Sequence, residues 1–135
     1  MPRSTPLGWT GPHQITAKLL FAQVCKGKHT WDESLPEGIK KQWNQYTEAL
    51  KDYPTVTVPR TVCTRPQSQY KLFGFADASK EGVCAAIYVV EYYHSDPVNQ
   101  QLLVAKTRIA PSDQTIPRME LIAAVTLAKL HCNVV

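Results

Sequence analysis

The sequence lacks the paired cysteines and histidines that announce a metal or redox protein. Its four cysteines, Cys25, Cys63, Cys84 and Cys132, are far apart and make no C-x-x-C spacing, so neither a zinc ribbon nor a dithiol redox pair is written here. The histidines, His13, His29, His94 and His131, form no H-x-x-x-H pair, which leaves a zinc site without support. No run approaches the roughly 18–20 apolar residues that span a bilayer. With no apolar leader and scattered thiols, the expectation is a soluble, reduced chain of the cytosol or nucleus, neither secreted nor membrane-bound. A strong charge is missing too: 15 Lys+Arg stand against 11 Asp+Glu, a net +4, which permits polyanion contact without demanding it. The excess sits in residues 1–66, and residues 67–135 are balanced, so the second half must be read by its motifs.

What is present suits a packed core. The 135 residues are 44% hydrophobic and 19% charged, ordinary values for one globular domain or pieces of two. The opening "MPRSTPLGWTGPHQ" is rich in Pro and Gly and reads as a loop. After Pro12, "QITAKLLFAQVC" places Ile15, Leu19, Phe21, Ala22 and Cys25 at helical spacing, closed by Gly27. "SLPEGIKKQWNQYTEALKDYP" predicts a second helix, with Ser34 and Glu37 as a capping box and Pro36 in the first turn. Its apolar stripe, Ile39, Trp43, Tyr46 and Leu50, is expected against a core. Pro54 ends it, and "TVTVPR" is a short β-prone segment.

From Tyr70 the period changes to two. "YKLFGFAD" has two largely apolar faces, as in a central strand. "GVCAAIYVVEYY" and "QQLLVAKTRI" predict two more strands, joined to the first by the short "ASKEG" and to each other by a "HSDPVNQ" loop. Cys84 and Cys132 lie in apolar runs and read as small core residues. "TIPRMELIAAVTLAKLHCNVV" predicts a last helix with Thr115 as cap and Pro117 near its start, apolar on almost every side and so expecting burial on more than one.

Two carboxylates stand out against these apolar runs: Asp77 at the end of the first strand and Glu120 in the first turn of the last helix. If the helix crosses the sheet, both face one mouth. Carboxylates converging there suit Mg²⁺, a hard ion that takes carboxylate, water and phosphate oxygens, and two such ions serve phosphodiester hydrolysis. Local effects account for the same positions, because "DAS" is turn chemistry and a helix N-terminus favours Glu.

The wider pattern weighs between the two. "FADAS", "CAAIYVV", "LLVAKTRIAP" and "TIPRMELIAAVTLAKL" resemble the opening half of the ribonuclease H domain of Pao/BEL-type retrotransposon polyproteins. Upstream, "PLGWTGPHQITAKLLFAQVCKGKHTWDESLPEGIKKQW" resembles the segment that follows the reverse transcriptase palm in those polyproteins. The resemblance implies a mixed α/β chain: a helical, connection-like segment over residues 1–66, then three antiparallel strands and one helix of a partial ribonuclease H-like fold over 67–135. It also implies that Asp77 and Glu120 are the first two of four metal-binding carboxylates in a Mg²⁺-dependent enzyme that cleaves the RNA strand of RNA–DNA hybrids. Ser79, Lys80, Lys106 and Arg108, flanking the mouth, are candidate substrate contacts.

The family's third and fourth acids belong to later elements, and Glu81, Glu91, Asp96 and Asp113 are badly placed to replace them. The expectation is therefore a piece of a polyprotein, inactive without the missing parts of its parent, that holds Mg²⁺ weakly and self-associates through an uncovered sheet edge. The alternative is a non-catalytic module that binds nucleic acid or protein through its helical half.

Overall fold

The computed structural model describes residues 8–135 except 31, 54, 56, 60, 63, 64 and 112. Their order is two helices, three strands and a helix: α1 (Gly11–Lys26), α2 (Glu37–Lys51), β1 (Gln69–Ala78), β2 (Gly82–Tyr93), β3 (Asp96–Ile109) and α3 (Ile116–Cys132). The strands form one antiparallel sheet in the order β1-β2-β3, the expected mixed α/β arrangement of a partial ribonuclease H-like fold.

Alternation along β2 divides the molecule into layers. Val83, Ala85, Ile87, Val89 and Glu91 are buried, while the residues between them are not. The buried set faces α3, where Val83 packs with Met119 and Ala123, and Ala85 and Ile87 with Leu130. Residues opposite each other in an antiparallel pair share a face. The register Ala78↔Val83, Ala76↔Ala85 and Gly74↔Ile87 therefore puts the even-numbered residues of β1 under α3. An added Cβ at Gly74 would stand 2.9 Å from Leu127 Cδ1, so the missing side chain is what lets the helix lie this close. Lys71, Phe73, Phe75 and Asp77 take the other face.

Helix α1 covers part of that second face, over β3. Lys18 Nζ donates to the Thr107 carbonyl at 3.0 Å, and a Cβ at Gly11 would meet Thr107 Cγ2 at 3.2 Å. Gly8, at φ +73, passes so close to the Ala105 carbonyl that no side chain fits, which explains a glycine in the otherwise irregular approach to α1. Only part of the expected α1 stripe turns inward. Ile15, Leu19 and Ala22, spaced four and three apart, are half-buried, whereas Phe21 and Cys25 project outward.

Several expectations are corrected. The capping box is not formed: α2 starts after Pro36, no side chain caps it, and Ser34 lies two residues beyond the position from which a hydroxyl reaches the first amides. The α2 stripe is not core either. No α2 residue is buried, and Trp43 and Leu50 are exposed, because the helix packs mainly on α1, whose His13 also meets Tyr53, just past the end of α2, edge-to-face at 4.2 Å. The expected helix stop at Pro54 lies outside the described residues, as does Cys63. No strand forms among the described residues of 55–60; there, Gln101 Nε2 donates to the Pro59 carbonyl.

The loop expected over 94–100 shrinks to a turn at His94 and Ser95, both at positive φ, the tight geometry that matches strand twist. The ladder therefore runs to Tyr93↔Asp96, and β3 begins four residues earlier than the expected strand start at Gln100. Thr115 precedes α3 but makes no side-chain cap. Cys84 and Cys132 are exposed. Helix α3 is buried on one side only, with Leu121 64% and Val125 46% exposed. Among the described residues strand β1, with its two apolar faces, stands at the edge of the sheet, and every residue from Gln69 to Asp77 is exposed.

Candidate metal centre

The site starts from how α3 crosses the sheet. Its first turn packs near Ala78 through Met119, and Leu127, two turns on, sits over Gly74. The N-terminal end of α3 thus lies over the carboxyl end of β1. Around the helix, Glu120 shares a stripe with Ala123, Ala124 and Leu127, the side that meets β1. The opposite side carries Val125, Thr126 and Lys129 toward Lys106 and Arg108 of β3. Glu120 and Asp77 therefore belong to the same corner, at the open edge of β1, and both are exposed. Asp77 reaches it from the α1 face of the strand and Glu120 from the α3 side.

Asp77 is held by its own backbone, since its Oδ1 accepts the Ala78 N–H at 2.8 Å. One oxygen is thereby committed to the next residue's amide, while the residue as a whole is exposed. The carboxylate borders a groove of about 550 Å³ whose walls include Ile15, Leu19, Ser79 and Cys84. Cys84 is its cross-strand partner. Partial burial, and then the negative charge of Asp77, raise the Cys84 thiol above its usual pKa, which keeps the thiol protonated and poorly nucleophilic at neutral pH.

Ser79 sits one turn of chain from Asp77, but its hydroxyl is occupied. Its Oγ accepts the N–H groups of Glu81 and Gly82, each at 3.2 Å, and donates to the Gly82 carbonyl. The β1–β2 hairpin is stapled by this residue. Lys80 is exposed beside it and lines a separate hollow with Lys26, Gln114 and Met119. Asp77, Ser79, Lys80 and Glu120 thus gather at one end of the molecule. Lys106 and Arg108 stand apart from them on β3, two strands away, on the α3 face.

Sequence reasoning weighed Glu91 only as a replacement metal ligand and gave it no structural role. It is 1% exposed, at the far end of β2, and its Oε1 accepts the Arg65 N–H at 3.0 Å. Period two puts it on the same face as Val83, Ala85, Ile87 and Val89, but the residues between them are apolar too, so only the structure shows that this face is the inward one and that the carboxylate must find donors there. Among the described residues no three His, Cys, Asp or Glu side chains cluster as a metal cage, so Asp77 and Glu120 amount to a pair at most. No described helix is long and apolar enough to cross a membrane.

Comparison with known proteins agrees with the mixed α/β fold. A family model described as the Pao retrotransposon-like RNaseH-like domain matches residues 5–135. No curated protein and no solved structure matches the chain.

Proposed function

Because the chain belongs to the Pao retrotransposon-like RNaseH-like domain family, we propose that Asp77 and Glu120 are the metal-holding carboxylates of a nuclease site for the RNA strand of RNA–DNA hybrids. The observation that carries this reading is the placement of both acids at the open corner of β1, on elements that pack independently of them. Carboxylate oxygens fit Mg²⁺ in kind, and two of them fall short of the ligand number the ion prefers. When bound, Mg²⁺ would polarise the scissile phosphate and assist its hydrolysis.

The chain's own residues supply the rest. Ala78 N–H orients Asp77, and the Ser79 staple fixes the hairpin that carries it. Lys80 offers a cation to a backbone phosphate beside the acids. Lys106 and Arg108 suit contact with a more distant stretch of hybrid backbone. With two ligating acids, the 135 residues by themselves bind metal weakly and leave hybrid intact, and turnover requires acids supplied from outside them.

The test is hybrid binding by fluorescence anisotropy at low salt, with and without Mg²⁺, paired with a cleavage assay. The expected result is Mg²⁺-strengthened binding that Asp77→Asn and Glu120→Gln each abolish, affinity that falls steeply with salt, and no cleavage. Cleavage that Asp77→Asn removes would overturn the incompleteness of the site. Binding indifferent to both acids and to Mg²⁺ would overturn the site itself.

One observation favours a second reading, a non-catalytic module: the α2 stripe is left in solvent, with Trp43 47% and Leu50 39% exposed, beside Lys40 and Lys41. On that reading nucleic acid or a protein docks on α2, and binding survives Asp77→Asn but falls with Trp43→Ala.

A further inference from the structure

Strand β3 changes its side-chain parity along its length. Its pairing with β2 slips between Ile87 and Tyr88 and again between Glu91 and Tyr92, each time with one residue more on β3, first Leu103 and then Val98. The first slip decides which side chains face α1. Ala105 and Thr107 pair with Ala86 and Cys84 on that face, and beyond the bulge it is Leu102 and Gln100, not Leu103 and Gln101, that continue it. Leu103 turns with Val104 to the core under α3. Bulges re-aim side chains and recur beside functional sites. The four residues between these two, Asn99 to Leu102, border a hollow of about 400 Å³.

The helical half of the chain and β2 build the rest of it. Residues 57–59 close one side, tied to the strand by Gln101, whose Nε2 donates to the Pro59 carbonyl at 2.8 Å. Trp9 and Tyr88 supply two aromatic rings. Asn99 and Gln100 supply side-chain amides that have no hydrogen-bond partner among the described residues. The Trp9 indole Nε1 is buried and has no acceptor. No charged side chain of the described residues lines the hollow.

That chemistry narrows the ligand. A phosphate or carboxylate finds no cation inside, so the group that enters is neutral. Two rings favour a flat partner that can stack, and free amides favour an edge carrying both donors and acceptors. A nucleobase has both, and Asn and Gln amides match base edges. Bases in a duplex have faces and edges already occupied, so the ligand is unpaired. Residues 1–66, which supply Trp9 and residues 57–59, also carry the chain's excess of positive charge. That charge attracts the phosphates on either side of an inserted base and does nothing for a neutral sugar chain.

We propose that the hollow between Trp9, Tyr88 and the bulged stretch of β3 receives one unpaired base of a single-stranded nucleic acid. The base stacks on Trp9 and Tyr88, and its edge meets the amides of Asn99 and Gln100. A small turn of the indole gives the Trp9 N–H an acceptor on the base. Neither Asp77 nor Glu120 takes part, so this reading and the nuclease reading can fail separately.

Fluorescence anisotropy of a labelled oligothymidylate at low salt tests it, against an abasic oligomer of the same length that keeps the phosphates and lacks the bases. Buffer without divalent ions keeps the acid corner out of the measurement. The abasic strand should bind about tenfold or more weakly, and Trp9→Leu and Tyr88→Leu should each weaken oligothymidylate binding about tenfold. Gln100→Ala should cost less than either. Circular dichroism checks that each variant folds. A second readout uses the native chain alone: the Trp9 indole N–H signal in NMR spectra, identified by its absence from Trp9→Leu, should move on adding oligothymidylate and stay in place with the abasic strand. Equal binding of the two strands, or full affinity in both Trp9→Leu and Tyr88→Leu, would overturn the proposal. A Trp9 signal that answers a neutral oligosaccharide and not oligothymidylate would overturn it too, and make the hollow a sugar site.

Discussion

Replacing Ile87 by alanine is expected to destabilise the fold by about 2–5 kcal/mol, a large part of the total of about 5–15 kcal/mol typical of a domain. Ile87 is fully buried at the centre of the middle strand. It lies between Gly74 of β1 and Val104 of β3 and packs under Leu130 of α3. Both of its neighbours in the ladder are pinned by backbone hydrogen bonds, so the sheet cannot collapse onto the vacated volume. Gly74, alone among the β1 residues under α3, has no side chain to move in. Urea denaturation should show a lower midpoint with little change in slope, since the same surface is exposed on unfolding. Leu121→Ala, at an exposed position, should change stability by no more than about 0.5 kcal/mol. Equal losses from the two would mean that α3 and the sheet do not pack as described.

The second large effect is expected at Glu91. Its carboxylate is buried and accepts the Arg65 amide, so it ties the chain preceding β1 to the far end of β2. Glu91→Ala strands that amide without its acceptor and opens a cavity, at a combined cost of about 2–4 kcal/mol. Glu91→Gln retains a carbonyl oxygen for the amide and should lose about half as much or less. Amide hydrogen exchange adds a local readout: the Arg65 N–H should exchange much faster in Glu91→Ala than in Glu91→Gln. Equal protection in both would show that the carboxylate does not hold this segment.

How much of this was legible in the sequence differs by element. The strands were readable because their runs of β-formers are a local property: "CAAIYVV" reads as a strand whatever covers it, but with both sets of residues apolar it does not say which face turns inward. The last helix was readable for the same reason, from its helix formers and Pro117. The environment of each element was not. Two apolar faces on β1 signal a central strand, yet neighbours are decided by the whole sheet, and among the described residues β1 stands at its edge. The α2 stripe was misjudged, since periodicity shows that Ile39, Trp43, Tyr46 and Leu50 share a side but not that another surface meets it.

The turn at His94 and Ser95 was hidden because neither residue is the glycine or asparagine that usually takes positive φ. For the acid corner, residue type and place along the chain singled out Asp77 and Glu120, and the resemblance tied them together. Their common corner depends on how α3 crosses the sheet, which the Gly74–Leu127 approach fixes. Lys106 and Arg108 could not be separated from the acids by sequence, because face and strand order decide that they stand two strands away.

The central claim, that Asp77 and Glu120 act together on one divalent ion, is tested most directly by Mn²⁺ as a paramagnetic probe in amide NMR spectra of the chain. The account predicts that signals of Asp77 to Ser79 and of Met119 to Leu121 broaden together over one range of Mn²⁺ concentration, and that Asp77→Asn or Glu120→Gln removes the broadening from both stretches. Broadening confined to one stretch, or left intact at Glu120 when Asp77 is changed, would show that the two carboxylates do not share a metal.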